Sequence, residues 1–206
     1  MSNGEAVDAS SRVVAYFSRQ AADYQADSAR FPWAWVRSRE TAAIRALLGD
    51  IAGADVLEFG SGAGFYTREL VRLGAHHVWA VDCSSAMLVA LPGGPISAVL
   101  GDAKTTRLDR RFPVLLCAGM LEFVPDPAPV LANAALHADT GARFVLLVPR
   151  ANALGRAYRR FHRAHGLRIH LFDPVRLADL AARSGWRLDT IVAVFPFSLA
   201  VRLHLV

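Results

Sequence analysis

Residues 56–67 read Val-Leu-Glu-Phe-Gly-Ser-Gly-Ala-Gly-Phe-Tyr-Thr, an order of residue types that few folds accommodate. A short apolar run delivers an acid, Glu58. Three glycines follow at alternate positions, Gly60, Gly62 and Gly64, with Ser61 between the first two. An amphipathic helix then begins, with Phe65, Leu70 and Leu73 at its apolar positions and Gly74 placed to cap its C-terminus. Strand, glycine turn and helix start together let a ligand lie against bare backbone. Glycine has no Cβ and tolerates positive φ, so the ligand can approach closely. The first turn of the helix leaves N–H groups unpaired for the ligand's polar atoms.

The rest of the chain continues that alternation. Apolar runs at 55–59, 77–82, 96–100, 113–118 and 143–148 predict strands, and 64–73, 85–91 and 128–138 predict helices between them. Such alternation calls for a parallel sheet joined by crossovers. The runs Val114-Leu115-Leu116 and Phe144-Val145-Leu146-Leu147-Val148 contain no polar residue, which suits strands covered on both faces. Upstream, Val13, Phe17, Ala21 and Tyr24 predict a helix over about 12–29. Phe31-Pro32-Trp33 breaks it, and a second helix runs from about Ala34 to Leu48. Downstream of Pro149, residues 150–170 hold six arginines, three histidines and no acid, with Leu154, Ala157, Tyr158, Phe161 and Leu167 near helical spacing. Asp173-Pro174 starts a last helix to about Ser184. Residues 188–197 and 199–206 read as two strands of a hairpin, the sixth and seventh.

At 206 residues, one domain with a large core is expected. More than half of the residues are apolar, 53%, which excludes a disordered chain. The polar N-terminus lacks the apolar core of a signal peptide. No apolar stretch reaches the ~18 residues of a spanning helix, since Pro196 interrupts residues 191–201. With only Cys83 and Cys117, these features point to a reducing, cytoplasmic compartment. Both cysteines read as packing residues, and a metal site would need more ligands at closer spacing. The net charge of +5 comes almost wholly from arginine, Lys104 being the only lysine. No recognition motif for nucleic acid accompanies it, so nucleic acid is not an expected partner.

Glycine turns of this kind serve two cofactor classes. The dinucleotide fingerprint is G-x-G-x-x-G, with an acid about 20 residues downstream. Here the order is acid-x-G-x-G-x-G with the acid on the strand. That order resembles the first motif of class I S-adenosylmethionine (SAM)-dependent methyltransferases. The second apolar run ends at Asp82, 24 positions after Glu58. The next residues, Cys83-Ser84-Ser85-Ala86-Met87-Leu88, are similar to the family's D-x-S-x-x-M-L stretch, in which Ser84 or Ser85 can cap a helix. The third run leads into Gly101-Asp102-Ala103. The fourth continues as Ala118-Gly119-Met120-Leu121-Glu122-Phe123-Val124-Pro125-Asp126, similar to the motif that lines the methyl-transfer face. Phe112-Pro113-Val114 departs from the family, which usually opens this strand with an acid. The resemblance covers about residues 36–150.

It implies a Rossmann-like α/β fold. A seven-stranded, mostly parallel sheet carries helices on both faces, and its last strand is antiparallel. Residues 1–50 would form an N-terminal helical lid and 51–206 a SAM-binding core with a basic helical insert at about 150–170, one domain overall. By the same resemblance Glu58, Gly60, Ser61 and Gly62 hold the methionyl end, and Asp82 with Cys83 the ribose. Met87 packs on the adenine, while Asp102 and the Ala103 N–H take its polar edge. The backbone around Cys117 to Gly119 faces the sulfonium and amino group, and Arg37 can pair with the SAM carboxylate.

A sulfonium is already a strong methyl donor. The protein must add in-line placement of a nucleophile and exclusion of water, so catalytic residues leave a weak mark in sequence. The candidates are Glu122 beyond the fourth strand, Tyr24 in the lid, and His162 in the basic insert as a general base. The expected acceptor is a small, partly apolar molecule, anionic or carrier-bound. Oxygen, nitrogen and carbon remain open as the acceptor atom, as does the oligomeric state. The stretch 153–168 reads either as a substrate cover or as a peripheral contact with an anionic membrane. Two rival readings are a nicotinamide-dependent oxidoreductase on a related fold and a non-catalytic partner that keeps the fold.

Overall fold

The computed structural model describes residues 13–16, 18 and 33–206. Five strands run parallel: β1 (Asp55–Phe59), β2 (His77–Asp82), β3 (Ile96–Leu100), β4 (Phe112–Ala118) and β5 (Ala138–Pro149). Two more, β6 (Trp186–Val194) and β7 (Ser198–Leu205), complete one sheet in the order β3-β2-β1-β4-β5-β7-β6. β7 is antiparallel to both its neighbours. From β1 the chain steps outward to β3 and then returns to place β4 on the other side of β1. In open α/β sheets such a switch point opens a crevice beyond the carboxyl ends of the strands.

Strand pleating sorts the apolar residues onto two faces. On one, Val56, Val114, Leu116, Val145 and Leu147 meet Ile44, Leu47 and Leu48 of α1 (Trp33–Leu48), and Tyr66 and Leu70 of α2 (Phe65–Arg72). On the other, Leu57, Phe59, Leu115, Phe144 and Leu146 meet Val130 and Leu131 of α4 (Ala128–Leu136), and Leu177 and Leu180 of α6 (Pro174–Arg183). The runs without polar residues are therefore strands buried on both faces. Each large side chain so buried contributes about 1.5–3 kcal/mol. Trp186 is fully buried and its indole N–H donates to the Leu131 carbonyl at 2.8 Å, which leaves no polar atom of the ring unsatisfied. Two elements lie toward the strand tips: α3 (Ser85–Val89) and a single 3-10 turn, Leu121–Phe123. The basic helix is α5 (Ala153–Ala164).

The fold agrees with the sequence expectation and shifts several boundaries. α4 stops at Leu136 because His137 turns inward at its end. The His137 ring is buried, donates from Nδ1 to the Asn133 carbonyl at 2.8 Å, and accepts the Leu108 N–H at Nε2 at 3.0 Å. β5 consequently begins at Ala138, paired with Phe112, rather than at 143. α5 ends before Gly166, whose φ is 77°. The two final strands form a hairpin as expected, with Phe195, Pro196 and Phe197 in the turn. Of the expected first helix, residues 13–16 and 18 are helical, and the rest lies outside the described residues. The second half of α1 packs on the sheet. Its Glu40 accepts the Ser198 hydroxyl at 2.6 Å, which ties α1 to the start of β7; only its first turns reach the strand tips.

Candidate active site

The glycine turn after β1 is hooked onto the end of β2. The Gly60 and Ser61 N–H groups donate to the Val81 carbonyl at 2.8 and 3.2 Å. The Gly62 N–H donates to Asp82 Oδ2 at 2.8 Å, and Asp82 Oδ1 accepts the Ser84 N–H at 2.8 Å. Asp82 thus links the turn to α3, whose N-terminus Ser84 caps through the Met87 N–H. Burial raises the Asp82 pKa, and the N–H bonds from Ser84 and Gly62 oppose the rise. Gly60 has φ 71°, and a Cβ there would stand 2.6 Å from Met120. Gly62 has φ 52°, and a Cβ there would project into open space. The first glycine is demanded by packing and backbone; the second leaves room for a ligand.

That space is a crevice of roughly 200 Å³ beyond the tips of β1 to β4. Of the residues anticipated from sequence, Gly60, Ser61, Gly62, Asp82, Cys83, Met87, Asp102, Ala103 and Arg37 all line it. The Ser61 hydroxyl is buried and has no hydrogen-bond partner among the described residues. Asp102 stands at the rim, where Lys104 Nζ lies 3.1 Å from its carboxylate. Arg37 lies 3.4 Å from Glu40 and 3.3 Å from the Tyr66 hydroxyl. An adenosyl sulfonium fits this lining. A carboxylate offers about four acceptor positions, so Asp82 keeps two for a ribose diol after its two N–H bonds. The Ser61 hydroxyl needs a polar partner, and Gly62 gives clearance.

Other anticipated residues fall elsewhere. Glu58 does not line the crevice. It lies beneath the turn, 2% exposed, and its Oε2 accepts the Thr67 hydroxyl at 2.6 Å. The pleat puts it on the α2 face of β1, and burial pushes its pKa up to about 8 against the Thr67 bond. Cys117 is fully buried within β4, and its neighbours Ala118, Gly119 and Met120 line the crevice in its place. Of the two readings given to Cys83 from sequence, packing and cofactor contact, its exposure on the crevice wall favours the second. Glu122 sits in the 3-10 turn, 4% exposed, with Oε2 unpartnered and its pKa pushed up to about 7 by burial. His162 is buried on α5, and neither ring nitrogen has a hydrogen-bond partner among the described residues. Burial, and then His165, bring its pKa down to about 4. It touches Phe123, a crevice residue, with ring centroids 5.6 Å apart. Tyr24 lies outside the described residues.

Sequence reasoning missed Lys104, Phe65 and Tyr66 as crevice residues, and gave Phe123, Val124 and Pro125 only as part of the motif after the fourth strand. Most of these stand inside segments already singled out, and only chain direction after each motif could have marked them. Val13 and Val14 also reach the crevice from the N-terminal helix. Among the described residues, no group of His, Cys, Asp and Glu is arranged to hold a metal. None of their helices is long and apolar enough to cross a membrane.

The sheet order, the glycine turn and the acids at the tips of the second and third strands define a class I, SAM-dependent methyltransferase. A family model described as a methyltransferase domain matches residues 33–191, and the chain belongs to that family. This sets aside the nicotinamide reading. A ubiquinone biosynthesis O-methyltransferase of Hahella chejuensis is 38% identical over 100 residues, which is 45% of this chain and 42% of that protein. One from Xylella fastidiosa is 34% identical over 112 residues, 50% of this chain and 45% of the relative. The chain spans under half the length of these curated relatives. The magnesium protoporphyrin IX methyltransferase of Synechocystis PCC 6803, solved with S-adenosylhomocysteine, has the same fold. Its TM-score is 0.75 at 16% identity, over 96% of this chain and all of that one.

Proposed function

We propose that this protein transfers a methyl group from SAM to a small, partly apolar acceptor in the cytoplasm. The observation that carries the reading is the convergence of Gly62, Asp82, Asp102 and Ala103 on one crevice. Bound there, SAM supplies an activated methyl group on its sulfonium. Asp82 holds the ribose diol, and Asp102 with the Ala103 backbone reads the adenine edge. Met87 packs on the ring, and Ser61 and Arg37 take the methionyl end. Glu58 shapes that end from below, through the turn it supports. Aromatic residues at the acceptor side, Phe65, Tyr66 and Phe123, exclude water and admit an apolar substrate. Val13 and Val14, upstream of the core, line the crevice as well. Glu122 and His162 are candidate proton acceptors behind Phe123, and burial keeps the imidazole of His162 neutral. The relatives being O-methyltransferases supports a hydroxyl acceptor.

Calorimetry with S-adenosylhomocysteine tests the assignment. The unmodified protein binds, and Asp82→Ala loses about 2–3 kcal/mol, or about 30- to 150-fold in affinity, with the buried hydrogen bonds to the ribose. Unchanged affinity in the variant overturns the role of Asp82. Binding without turnover of any acceptor leaves the non-catalytic alternative standing.

A further inference from the structure

Three elements meet in an aromatic cluster that stands partly in water. Trp33, at the start of α1, lies 6.2 Å from Tyr158 and 6.5 Å from Phe161 of α5, and 6.4 Å from Phe197 in the β6–β7 turn. Trp35 lies 5.8 Å from Phe195 of the same turn. Asn152 caps α5 and also donates from Nδ2 to the Pro196 carbonyl at 3.1 Å, so helix and turn are joined. Trp35 is 41% exposed, Phe161 48% and Phe195 57%. Single apolar residues on a surface need no explanation, but contiguous ones do.

The same helix presents a second, independent feature. Arg156, Arg159, Arg160 and Arg163 of α5, and Arg168 just beyond it, are all exposed. Among the described residues none of the five pairs with a carboxylate. We infer that this face docks the protein on an anionic lipid surface. The rings sit at headgroup level, as aromatic residues do at bilayer interfaces, and the guanidinium groups reach lipid phosphates. The ring geometry favours lipid over a single-stranded nucleic acid, which would need open faces for base stacking. Tyr158 and Phe197 are stacked on each other at 4.5 Å, with 14° between planes. The Arg39 guanidinium lies over Trp35, 5.2 Å from its centroid. The cluster also leads inward. Tyr158 touches His162 at 4.4 Å, and His162 touches Phe123 on the crevice wall. Ring contacts thus run without a break from the cluster to the crevice wall.

Co-sedimentation with vesicles tests this directly, using phosphatidylcholine alone or with one quarter phosphatidylglycerol. The protein binds the mixed vesicles at low salt and not the neutral ones, and its tryptophan emission shifts to the blue on binding. Arg159→Glu, Arg160→Glu and Arg163→Glu together lower the partition coefficient by about a hundredfold. Trp35→Ser with Phe161→Ser lowers it as well. Both variants keep S-adenosylhomocysteine binding and the far-UV circular dichroism spectrum. Three results would each overturn the inference: no binding to the mixed vesicles, binding that survives both variants, or binding of a single-stranded oligonucleotide through the same arginines without binding to vesicles.

Discussion

Replacing Glu58 with glutamine makes the ligand-free protein more stable at neutral pH, and increasingly so as pH rises. The side chain is enclosed between β1 and α2, and its one strong partner is the Thr67 hydroxyl at 2.6 Å, which an amide oxygen also accepts. Burial lifts the carboxyl from an ordinary 4.5 to about 8 in the folded protein. A carboxyl held above its unfolded value binds a proton in the native state that the unfolded chain has already released. Stability therefore falls from about pH 4.5 upward and stops falling above about pH 8. At 1.36 kcal/mol per pH unit, the loss is at most about 3 kcal/mol at pH 7, and it tends toward about 5 kcal/mol in alkali. Glu58→Gln does not titrate, so the difference between the two proteins isolates this one group. Urea unfolding of both, without SAM, at pH 5, 6, 7 and 8 provides the measurement. A difference that stays flat across that range refutes the reasoning. It would mean that water or relaxation keeps the carboxylate charged beneath the turn.

Two further substitutions separate clearance from packing. Gly62→Val puts a branched side chain into the open crevice at a φ of 52°, which strains the turn itself, and overpacking of about 1–3 kcal/mol weakens S-adenosylhomocysteine binding about five- to 150-fold per folded molecule in calorimetry. Equal affinity there would show that the ligand lies elsewhere. His137→Ala strands the Leu108 N–H and the Asn133 carbonyl, at a cost of about 2–4 kcal/mol. Thermal unfolding falls by about 5–10 °C, while affinity per folded molecule is unchanged; a loss of stability too small to measure would contradict the structural role of the ring.

Much of this site was legible because its chemistry is local. Gly60, Gly62, Asp82 and Asp102 each close a strand, and strand ends are marked by where apolar runs stop. What could not be read is set by contacts between distant segments. Glu58 has the same place in the motif whether it faces the ligand or lies under the turn; the pleat of β1 and the hydroxyl of Thr67 decide. His137 looks like one more helical residue until Leu108, 29 positions away, supplies an N–H for its ring. Cys83 and Cys117 carry equal sequence signals, yet one is exposed on the crevice wall and the other is enclosed in the middle of the sheet. The boundary expected at residue 50 misses that the second half of α1 is part of the sheet's packing.

β7 is made after both of the strands it separates. While the ribosome is still extending the chain, β5 offers a bare edge along Phe144–Val148, and β6 has no partner at all. An unpaired apolar edge is a template for other chains. Before β7 pairs, contact with a neighbouring chain therefore competes with formation of the β6–β7 hairpin, and a chaperone that shields that edge would raise the yield of folded molecules.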